Sequence, residues 1–275
     1  MRLFLIIAVV LFALWLPHPP SPGLAADADR PTGHRPSTAE EAVLPAVPGL
    51  YGNLQHLRTP LPPRTIALTF DDGPSPALLP QVLDILEAHE VRATFFFVGS
   101  YARQRPDLVR EVVRRGHNVA SHSWSHPTRL RLWSPAAQRT EVRRGFAALE
   151  AALAEAPPEQ RARLEPMFRF PGLGEGPYMA DWLGDRGIQV ISAEAGTDDW
   201  RGYSAAVITR RTLAAMDSSQ GGVLILHETR PQMILALPGL LDALQARGYR
   251  FVQITAGPDG RRRALAADDP VLTLE

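Results

Sequence analysis

From residue 64 onward, short apolar runs alternate with segments whose apolar residues recur at helical spacing. In the segment PALLPQVLDILEAHE, for example, Leu79, Leu83 and Leu86 fall on one face of a helix. Seven apolar runs between such segments predict strands, at residues 66–70, 93–98, 118–121, 167–170, 188–193, 223–226 and 250–254. Since strands that alternate with helices usually pair in parallel, the pattern predicts an α/β fold with a parallel sheet or barrel.

Two further segments carry helix boundary signals. The segment PDLVREVVRRG begins with proline and ends in arginines and glycine, which are typical start and stop signals. Ser134 and Pro135 suit the N-cap and the first position of the next helix. By contrast, we predict an exposed loop at residues 155–166 and a polar, irregular tail at residues 258–275.

The first 63 residues differ in composition from the rest. Residues 3–16 form an apolar run that is short for a membrane-spanning helix but suits a signal-peptide core, and prolines follow it. We therefore predict a signal peptide at residues 1–25 and a secreted or periplasmic protein, with a retained N-terminal membrane anchor as the alternative. The composition of residues 26–63 predicts a proline-rich linker. We expect the end of this linker to dock on the main domain of residues 64–257 through Leu50, Tyr51 and Leu54.

Composition narrows the chemistry. The chain has 275 residues, 45% of them hydrophobic, which is enough to bury a sizeable core. The formal net charge is zero, so charge gives no indication of a nucleic-acid partner. Cysteine and lysine are both absent. This excludes disulfides, thiolate zinc sites, a cysteine nucleophile, Schiff-base lysines and a Walker-type lysine.

Polar side chains lie at or just after the ends of five predicted strands. Because active sites of parallel α/β folds gather at the carboxyl ends of their strands, these side chains are expected to share one rim. In chain order they are Asp71 and Asp72, His122 and His126, Arg169, Asp198 to Trp200, and His227.

Each of these features also has a purely structural explanation. Asp-Asp-Gly-Pro is a common turn, histidines four apart are often surface residues, and a histidine that ends a strand is often a satisfied core residue. Their joint occurrence at strand ends favours a site, since one carboxylate and two imidazoles commonly bind a divalent metal with open positions. A cation would also offset the repulsion between Asp71 and Asp72, so that one binds it while the other accepts a proton.

The motifs TFDDGP, HSWSH, RFPG, DDW and LILH follow one another in this order, with ATFFFVG and RRGHNVASH between them. Through them, residues 64–255 resemble the polysaccharide deacetylases of the NodB-homology type, carbohydrate esterase family four. The resemblance implies that residues 64–257 are a catalytic domain, a distorted (β/α) barrel of about seven parallel strands. It also implies a metal-dependent hydrolase that removes N-acetyl groups from an N-acetylglucosamine polysaccharide and releases acetate.

The family pattern implies a metal site and a general base. Its metal ligands correspond to Asp72, His122 and His126. Zinc is the expected ion, with cobalt or nickel as alternatives. The general base corresponds to Asp71, and the arginine that holds this base corresponds to Arg169.

The pattern also implies a general acid and a substrate pocket. The general acid corresponds to His227, and the acid that orients it corresponds to Asp199. Trp200 would wall the acetyl pocket, Ile225 would meet the acetyl methyl group, and the backbone N–H of Gly172 would help to stabilise the oxyanion.

Three positions depart from the family pattern. Gly172 stands where the family often has tyrosine, so a frequent substrate contact is missing. Gly196 stands where an acid usually precedes Asp-Trp, which leaves Asp198 and Glu194 as alternative partners of the catalytic histidine. Glu228 replaces a frequent aspartate after that histidine, a change expected to be harmless.

Two other functions share these residues. The same site could act on an acetyl ester of xylan or on a non-sugar amide. A catalytically silent carbohydrate-binding protein would instead have lost a ligand or the base, and none is lost here. The expected partner is a polysaccharide, either peptidoglycan, a chitin-type chain or poly-N-acetylglucosamine. No nucleic acid is expected, and a membrane only through an uncleaved N-terminal segment.

Overall fold

The computed structural model describes residues 40–45, 49–52, 54 and 58–273. The predicted signal peptide or anchor at residues 1–25 and most of the predicted linker lie outside these residues and stay predictions. None of the helices in the described part combines the length and hydrophobicity that a membrane span requires.

Ten strands form one sheet, and all of their hydrogen-bonded pairs are parallel in the described part of the chain. Each of the seven predicted strands overlaps an observed one, so the predicted parallel α/β class is confirmed. The other three have only two or three residues, too few for an apolar run to mark them. The strands are β1 Glu41–Val43, β2 Leu50–Tyr51, β3 Thr65–Asp71, β4 Thr94–Phe97, β5 Asn118–Ser121, β6 Leu164–Phe168, β7 Gln189–Ile191, β8 Ala195–Gly196, β9 Gly221–His227 and β10 Arg250–Thr255.

Helices connect most of the strands and cover the outside of the sheet. The described residues contain α1 Leu79–Ala88, α2 Gly99–Gln104, α3 Pro106–Arg114, α4 Pro135–Leu153, α5 Pro158–Arg161, α6 Pro177–Gly184, α7 Ala205–Ser219, α8 Pro231–Ala246 and α9 Gly257–Leu265. As predicted, Ser134 caps α4, accepting a hydrogen bond from Ala137 N, and Pro135 is its first residue.

The sheet curls into a distorted barrel that is incompletely closed. Its path runs β9-β3-β4-β5-β6-β7-β2, and β8 pairs with β9. The strands β7 and β8 are consecutive in the chain, with three residues between them, so the two edges of the sheet lie near each other. Among the described residues, no hydrogen-bonded strand pair joins β7 to β8 or β9.

The last strand, β10, closes the amino end of the barrel. It pairs with the first residues of β3, whereas the last residues of β3 pair with β4 on that side. Beyond that point its side chains reach the starts of neighbouring strands, since Gln253 Nε2 donates to Ala93 O at 2.9 Å. Asn118 Nδ2 in turn donates to Ile254 O at 3.1 Å. The amino end is therefore covered, while the carboxyl ends of the strands stay open to solvent.

Alternating side chains divide the core into two layers. In β3, Ile66, Leu68 and Phe70 pack outward against helices, whereas Ala67 belongs to the cluster inside the barrel. The inner cluster mixes small residues such as Ala120 with larger ones, which suits the narrow space inside a curled sheet. This period of two places Asp71 on the inner face, four residues after Ala67.

Two predictions about connecting segments are wrong, and one is confirmed in part. As predicted, the end of the linker docks on the main domain, because Leu50 and Tyr51 form β2 beside β7 and Leu54 N donates to Ala193 O. The linker also contains β1, which pairs with β10. The predicted exposed loop at residues 155–166 contains α5 and the start of the buried strand β6. The predicted irregular tail forms α9 and then buries Val271 and Leu272, two apolar residues in a polar stretch too short to show periodicity.

Candidate active site

The carboxyl ends of the strands surround a cavity of about 580 Å³. All ten residues that the sequence predicted for a site lie on its wall or directly behind it. Asp199 and Arg169 lie behind the wall, each hydrogen-bonded to a residue that lines the cavity. The predicted residues on the wall are Asp71, Asp72, His122, His126, Gly172, Trp200, Ile225 and His227.

The chain separates Asp71 from Asp72 at the end of β3. Asp71 is the last strand residue, only 3% exposed, and lies in register with His227 of β9. Asp72 has φ +74°, in the left-handed region that Asp enters more readily than most residues, so the backbone turns there. A β-carbon on the next residue, Gly73, would lie 1.7 Å from Glu228 Oε1, so a larger residue there would displace the Glu228 carboxyl group. The turn lets both carboxylates reach one cavity.

Asp71 is held by a fully buried arginine. Arg169 Nη1 donates to Asp71 Oδ1 at 2.6 Å and to Thr69 Oγ1 at 2.9 Å. The other nitrogens of the guanidinium are also engaged, with Nε donating to Ile191 O and Nη2 to Ser192 O. Arg169 is thus fixed on several sides and fixes one oxygen of Asp71. The other oxygen, Oδ2, faces His122 Nε2 at 3.7 Å.

The hydrogen bonds of His122 settle which ring nitrogen carries the proton. Its Nδ1 lies 2.8 Å from the carbonyl oxygen of Arg169, and a carbonyl can only accept, so Nδ1 carries the hydrogen. Nε2 then carries the lone pair and lies 3.7 Å from both Asp71 Oδ2 and Asp72 Oδ1. Burial lowers the pKa of His122 more than the nearby Asp71 raises it, which keeps the ring neutral. A neutral imidazole with a fixed tautomer is what a metal ligand requires.

Asp72 completes a set of ligand atoms that face one another. His126 Nε2 lies 3.1 Å from Asp72 Oδ1, yet this buried oxygen has no aligned hydrogen-bond donor in the described part of the protein. One ligand atom from each of Asp72, His122 and His126 lies within 4.8 Å of the others. Burial opposes ionisation of Asp72, but the neighbouring histidines outweigh it and hold the pKa of this carboxyl well below its usual range. The residues therefore fit a divalent cation.

A buried glutamate supports the loop between the two histidines. Glu141 of α4 accepts hydrogen bonds from both the backbone N and the hydroxyl of Ser125. The next residue, His126, has φ +59°, and its backbone N donates to Ser123 Oγ at 3.1 Å. Side chains thus hold the backbone conformation that turns His126 toward Asp72. Sequence reasoning missed Glu141, since nothing local marks a helix residue that will meet a distant loop.

His227 pairs with Asp199, which resolves the choice that the sequence left open. Asp199 Oδ1 lies 2.7 Å from His227 Nδ1, and Asp199 Oδ2 accepts from His227 N at 2.8 Å. Burial lowers the pKa of His227, but Asp199, with smaller contributions from Asp71 and Asp72, raises it overall. The imidazolium form is therefore favoured.

The two alternative acids are engaged elsewhere. Asp198 pairs with Arg211 and lies 3.3 Å from Arg201 Nε. Glu194 is buried and accepts from the backbone N–H groups of Thr59 and Val223. Glu194 therefore anchors residues 58–61 to β9 rather than orienting the histidine.

Glu228, which stands where an aspartate was expected, is fully buried beneath the Asp72 turn. Its Oε1 accepts from Ser75 N at 2.8 Å, while Oε2 lacks a partner among the described residues. Burial, together with the charge of Asp72, raises the pKa of Glu228 to about 8. This acid is therefore mostly neutral at pH 7 and supports the turn without adding a third charge.

The walls of the cavity combine predicted and unpredicted residues. Trp200 is 52% exposed at the rim, Ile225 is buried at the base, and Gly172 has φ +58°. Sequence reasoning missed Thr128 and Arg230, because both lie in loops outside the motifs.

Two further aromatic residues of the loops could stack on sugars. Trp133 and Tyr178 are 40% and 39% exposed, but neither is part of the cavity wall. Two aromatic residues do line the described cavity, Phe170 and Trp200, and of these Trp200 is the exposed one.

Comparisons with known proteins agree with the sequence resemblance. Residues 58–190 match the family described as polysaccharide deacetylase. A chitooligosaccharide deacetylase of Bradyrhizobium sp. is 33% identical over 211 residues, which cover 68% of this chain and 88% of that protein. A peptidoglycan-N-acetylglucosamine deacetylase of Listeria monocytogenes is 33% identical over 194 residues, or 70% of this chain. This chain spans only 38% of the length of the Listeria protein.

A solved structure shows the same architecture. The Bc1960 peptidoglycan N-acetylglucosamine deacetylase superposes with a TM-score of 0.64 at 27% identity, covering 75% of this chain and 90% of that one. The family match itself spans β3 to β6 and includes Asp71, Asp72, His122, His126 and Arg169.

Proposed function

This chain belongs to the polysaccharide deacetylase family, and we propose that it is a metal-dependent hydrolase that removes N-acetyl groups from an N-acetylglucosamine polysaccharide and releases acetate. One observation carries the proposal. A candidate metal triad, a buried carboxylate and an acid-paired histidine line the same cavity. Relatives named for peptidoglycan and for chitooligosaccharides match about equally well, so they support the reaction more than the polymer.

Asp72, His122 and His126 would hold the cation, with zinc as the first choice given two imidazoles and one carboxylate. When bound, such an ion polarises the substrate carbonyl and lowers the pKa of water. The protein's part is to keep His122 neutral through the hydrogen bond to Arg169 O, and to keep Asp72 ionised.

Asp71 is the proposed general base. Its Oδ1 is occupied by Arg169, which leaves Oδ2 to accept a proton from the attacking water. The fixed guanidinium keeps this carboxylate from turning away from the cavity. Arg169 is buried beneath the cavity, so it acts through Asp71 rather than on the substrate.

His227 is the proposed general acid. Asp199 holds Nδ1, so Nε2 is the nitrogen that would donate a proton to the departing amine. Because Asp199 raises the pKa of His227, the ring keeps this proton to a higher pH than an unpaired histidine would. Ile225 lies two residues earlier on the same strand face and offers an apolar surface for the acetyl methyl group. Trp200 would cover that group, and the backbone at Gly172 would face the developing oxyanion.

The test is acetate release by zinc-loaded protein from peptidoglycan, chitooligosaccharides, poly-N-acetylglucosamine and acetylxylan. We expect release from at least one N-acetylated glycan, and a ~10²–10⁴-fold loss of turnover in His227→Asn, typical for a general acid. Zinc content of that variant, measured by elemental analysis, should match the unmodified protein. Release from acetylxylan alone would replace the amide with an ester substrate, and no release from any glycan would overturn the proposal.

From the predicted signal peptide we propose that this activity lies outside the cytoplasm, in the periplasm or secreted, or on the membrane through a retained anchor. Fractionation of cells that produce the full chain tests this. Mature protein lacking residues 1–25 in a soluble extracytoplasmic fraction is the expected result, and intact protein in the cytoplasm would contradict it.

A further inference from the structure

One cationic side chain on the cavity wall has no role in the mechanism above. Arg230 precedes α8, is exposed, and lines the cavity that contains Asp72 and His227. Its guanidinium makes no hydrogen bond, ion pair or ring contact within the part of the chain that the structure describes. Exposed arginines without a partner are common, so a role in substrate binding has to be argued from the position and surroundings of Arg230.

Three other arginines near the site are already engaged. Arg169 is bound to Asp71, and Arg211 pairs with Asp198. Arg201 stacks over Trp200, with 4.4 Å from its guanidinium carbon to the ring, and also lies 3.3 Å from Asp198. Among the described residues that line the cavity, Arg230 is the one arginine, and its charge is not offset by a neighbour.

Arg230 also borders a second groove. This groove, of about 280 Å³, shares Asp72, His126 and Arg230 with the catalytic cavity and extends to Tyr101, which is 50% exposed. A glycan that places one sugar at the catalytic residues would therefore pass Arg230 with a neighbouring unit. An unpaired guanidinium at that point favours an anionic group, and its planar fork matches a carboxylate.

We propose that Arg230 is a specificity-determining residue that binds a carboxylate on the glycan, so that the preferred substrate is an acidic N-acetylglucosamine polymer such as peptidoglycan rather than a neutral chitin-type chain. This inference rests on the proposed function and names its substrate class. Two carboxylates of peptidoglycan could reach Arg230: the lactyl group of the neighbouring sugar, once its peptide is removed, or an acid of the peptide itself.

The experiment compares kcat/KM for acetate release from three substrates: chitopentaose, soluble peptidoglycan strands with peptides, and the same strands after an amidase has removed the peptides. The unmodified protein, Arg230→Gln and the matched control Arg210→Gln are measured. Arg210 is an exposed arginine of α7, in a separate surface groove with Asp217 and Arg247.

We expect the ratio of kcat/KM on the acidic strands to that on chitopentaose to fall about tenfold in Arg230→Gln. One hydrogen-bonded contact to a charged group has about this effect. The ratio in Arg210→Gln should match that of the unmodified protein. The peptidoglycan substrate whose kcat/KM falls more, with or without peptides, identifies which carboxylate Arg230 binds. Raising the salt concentration should move the ratio of the unmodified protein toward that of Arg230→Gln, because an exposed ion pair is screened.

Equal ratios in Arg230→Gln and the unmodified protein, on both strand types, would overturn the assignment of Arg230 and leave the proposed function intact. An equal fall in Arg210→Gln would also overturn it, since general charge would then explain the preference. Absence of acetate release from every substrate would instead remove the proposed function, on which the assignment rests.

Discussion

Each end of the barrel holds a carboxylate with at least one buried oxygen, and the two carboxylates have different surroundings. At the amino end, Glu165 of β6 accepts hydrogen bonds on both oxygens, from Asn118 and Thr255 on one and from Ala256 N on the other. At the carboxyl end, Asp72 leaves a buried oxygen without an aligned donor and faces the lone pair of His122.

The pKa values of Glu165 and Asp72 shift in opposite directions. Burial raises the pKa of Glu165 to about 7, although its hydrogen bonds favour the charged form. Asp72 is less deeply buried and lies beside histidines, so its pKa is lowered. Buried polar groups are normally paired, and a group left unpaired calls for an explanation such as a missing ion. Hydrogen-bonded Glu165 thus joins structural elements, while incompletely bonded Asp72 is available to a ligand.

Replacing Asp72 should give the largest effect. In Asp72→Asn we expect the bound zinc to be lost, as measured by elemental analysis. Acetate release should fall at least ~10³-fold, because loss of a single acid or base already costs ~10²–10⁴-fold. The matched control is Asp84→Asn, which removes a surface ion pair with Arg115 and should keep both zinc and activity. If Asp72→Asn still bound zinc, Asp72 would not be a metal ligand, and its contrast with the structural Glu165 would be lost.

Asp199→Asn should weaken His227 as an acid without removing it. We expect a fall in kcat of about 10²-fold, at the lower end of the range for acid–base groups. Because Asp199 raises the pKa of His227, its loss lowers that pKa, so the basic limb of the kcat profile should move to lower pH. Measuring kcat against pH for both proteins tests this. An unmoved limb would show that His227 does not supply the proton.

Glu165→Gln should alter stability rather than turnover. The folded protein holds a proton on Glu165 up to a pKa of about 7, whereas the unfolded chain releases it at about 4.3. Folding therefore binds a proton in this window, and stability falls as pH rises from about 5 to 7, by up to about 1.4 kcal/mol per pH unit. Glutamine does not titrate, so the variant should lose this slope.

The free energy of unfolding is measured with denaturant at several pH values in both proteins. The difference between the two slopes removes the contribution of the histidines, which both proteins share. Identical slopes in the two proteins would contradict the assignment. Acetate release per folded molecule should be unchanged in the variant, since Glu165 lies at the end of the barrel away from the cavity.

Glu141 gives the smallest expected effect at the carboxyl end. Glu141→Leu removes the acceptor for both Ser125 donors, and we expect zinc affinity to fall about tenfold, as for other groups that orient ligands. Glu141→Gln should restore most of it, because an amide oxygen accepts the same bonds. Competition with a chelating dye measures the affinity. Equal affinities in the two variants would indicate that the bonds to Ser125 do not position His126.

Much of the fold and site was predictable from local patterns. Apolar runs located seven strands, and the rule that parallel sheets carry active sites at their carboxyl ends grouped Asp71, Asp72, His122, His126 and His227 into one candidate site. The short strands, α9 and the path of β10 were not predictable. Their few apolar residues gain burial only from segments distant in the chain.

The sequence by itself determined which side chains stand at the strand ends, because strand periodicity and chain order are local properties. It also determined that no cysteine or lysine takes part. Only the tertiary structure decided between Asp198 and Asp199. The two are adjacent in the chain, but the left-handed turn at Asp198 directs it to arginines and Asp199 to His227. Likewise, Glu141 of α4 meets Ser125, and Arg230 before α8 lines the cavity, only because segments distant in the chain pack around the rim. Such pairings depend on packing between remote segments, which no local pattern records.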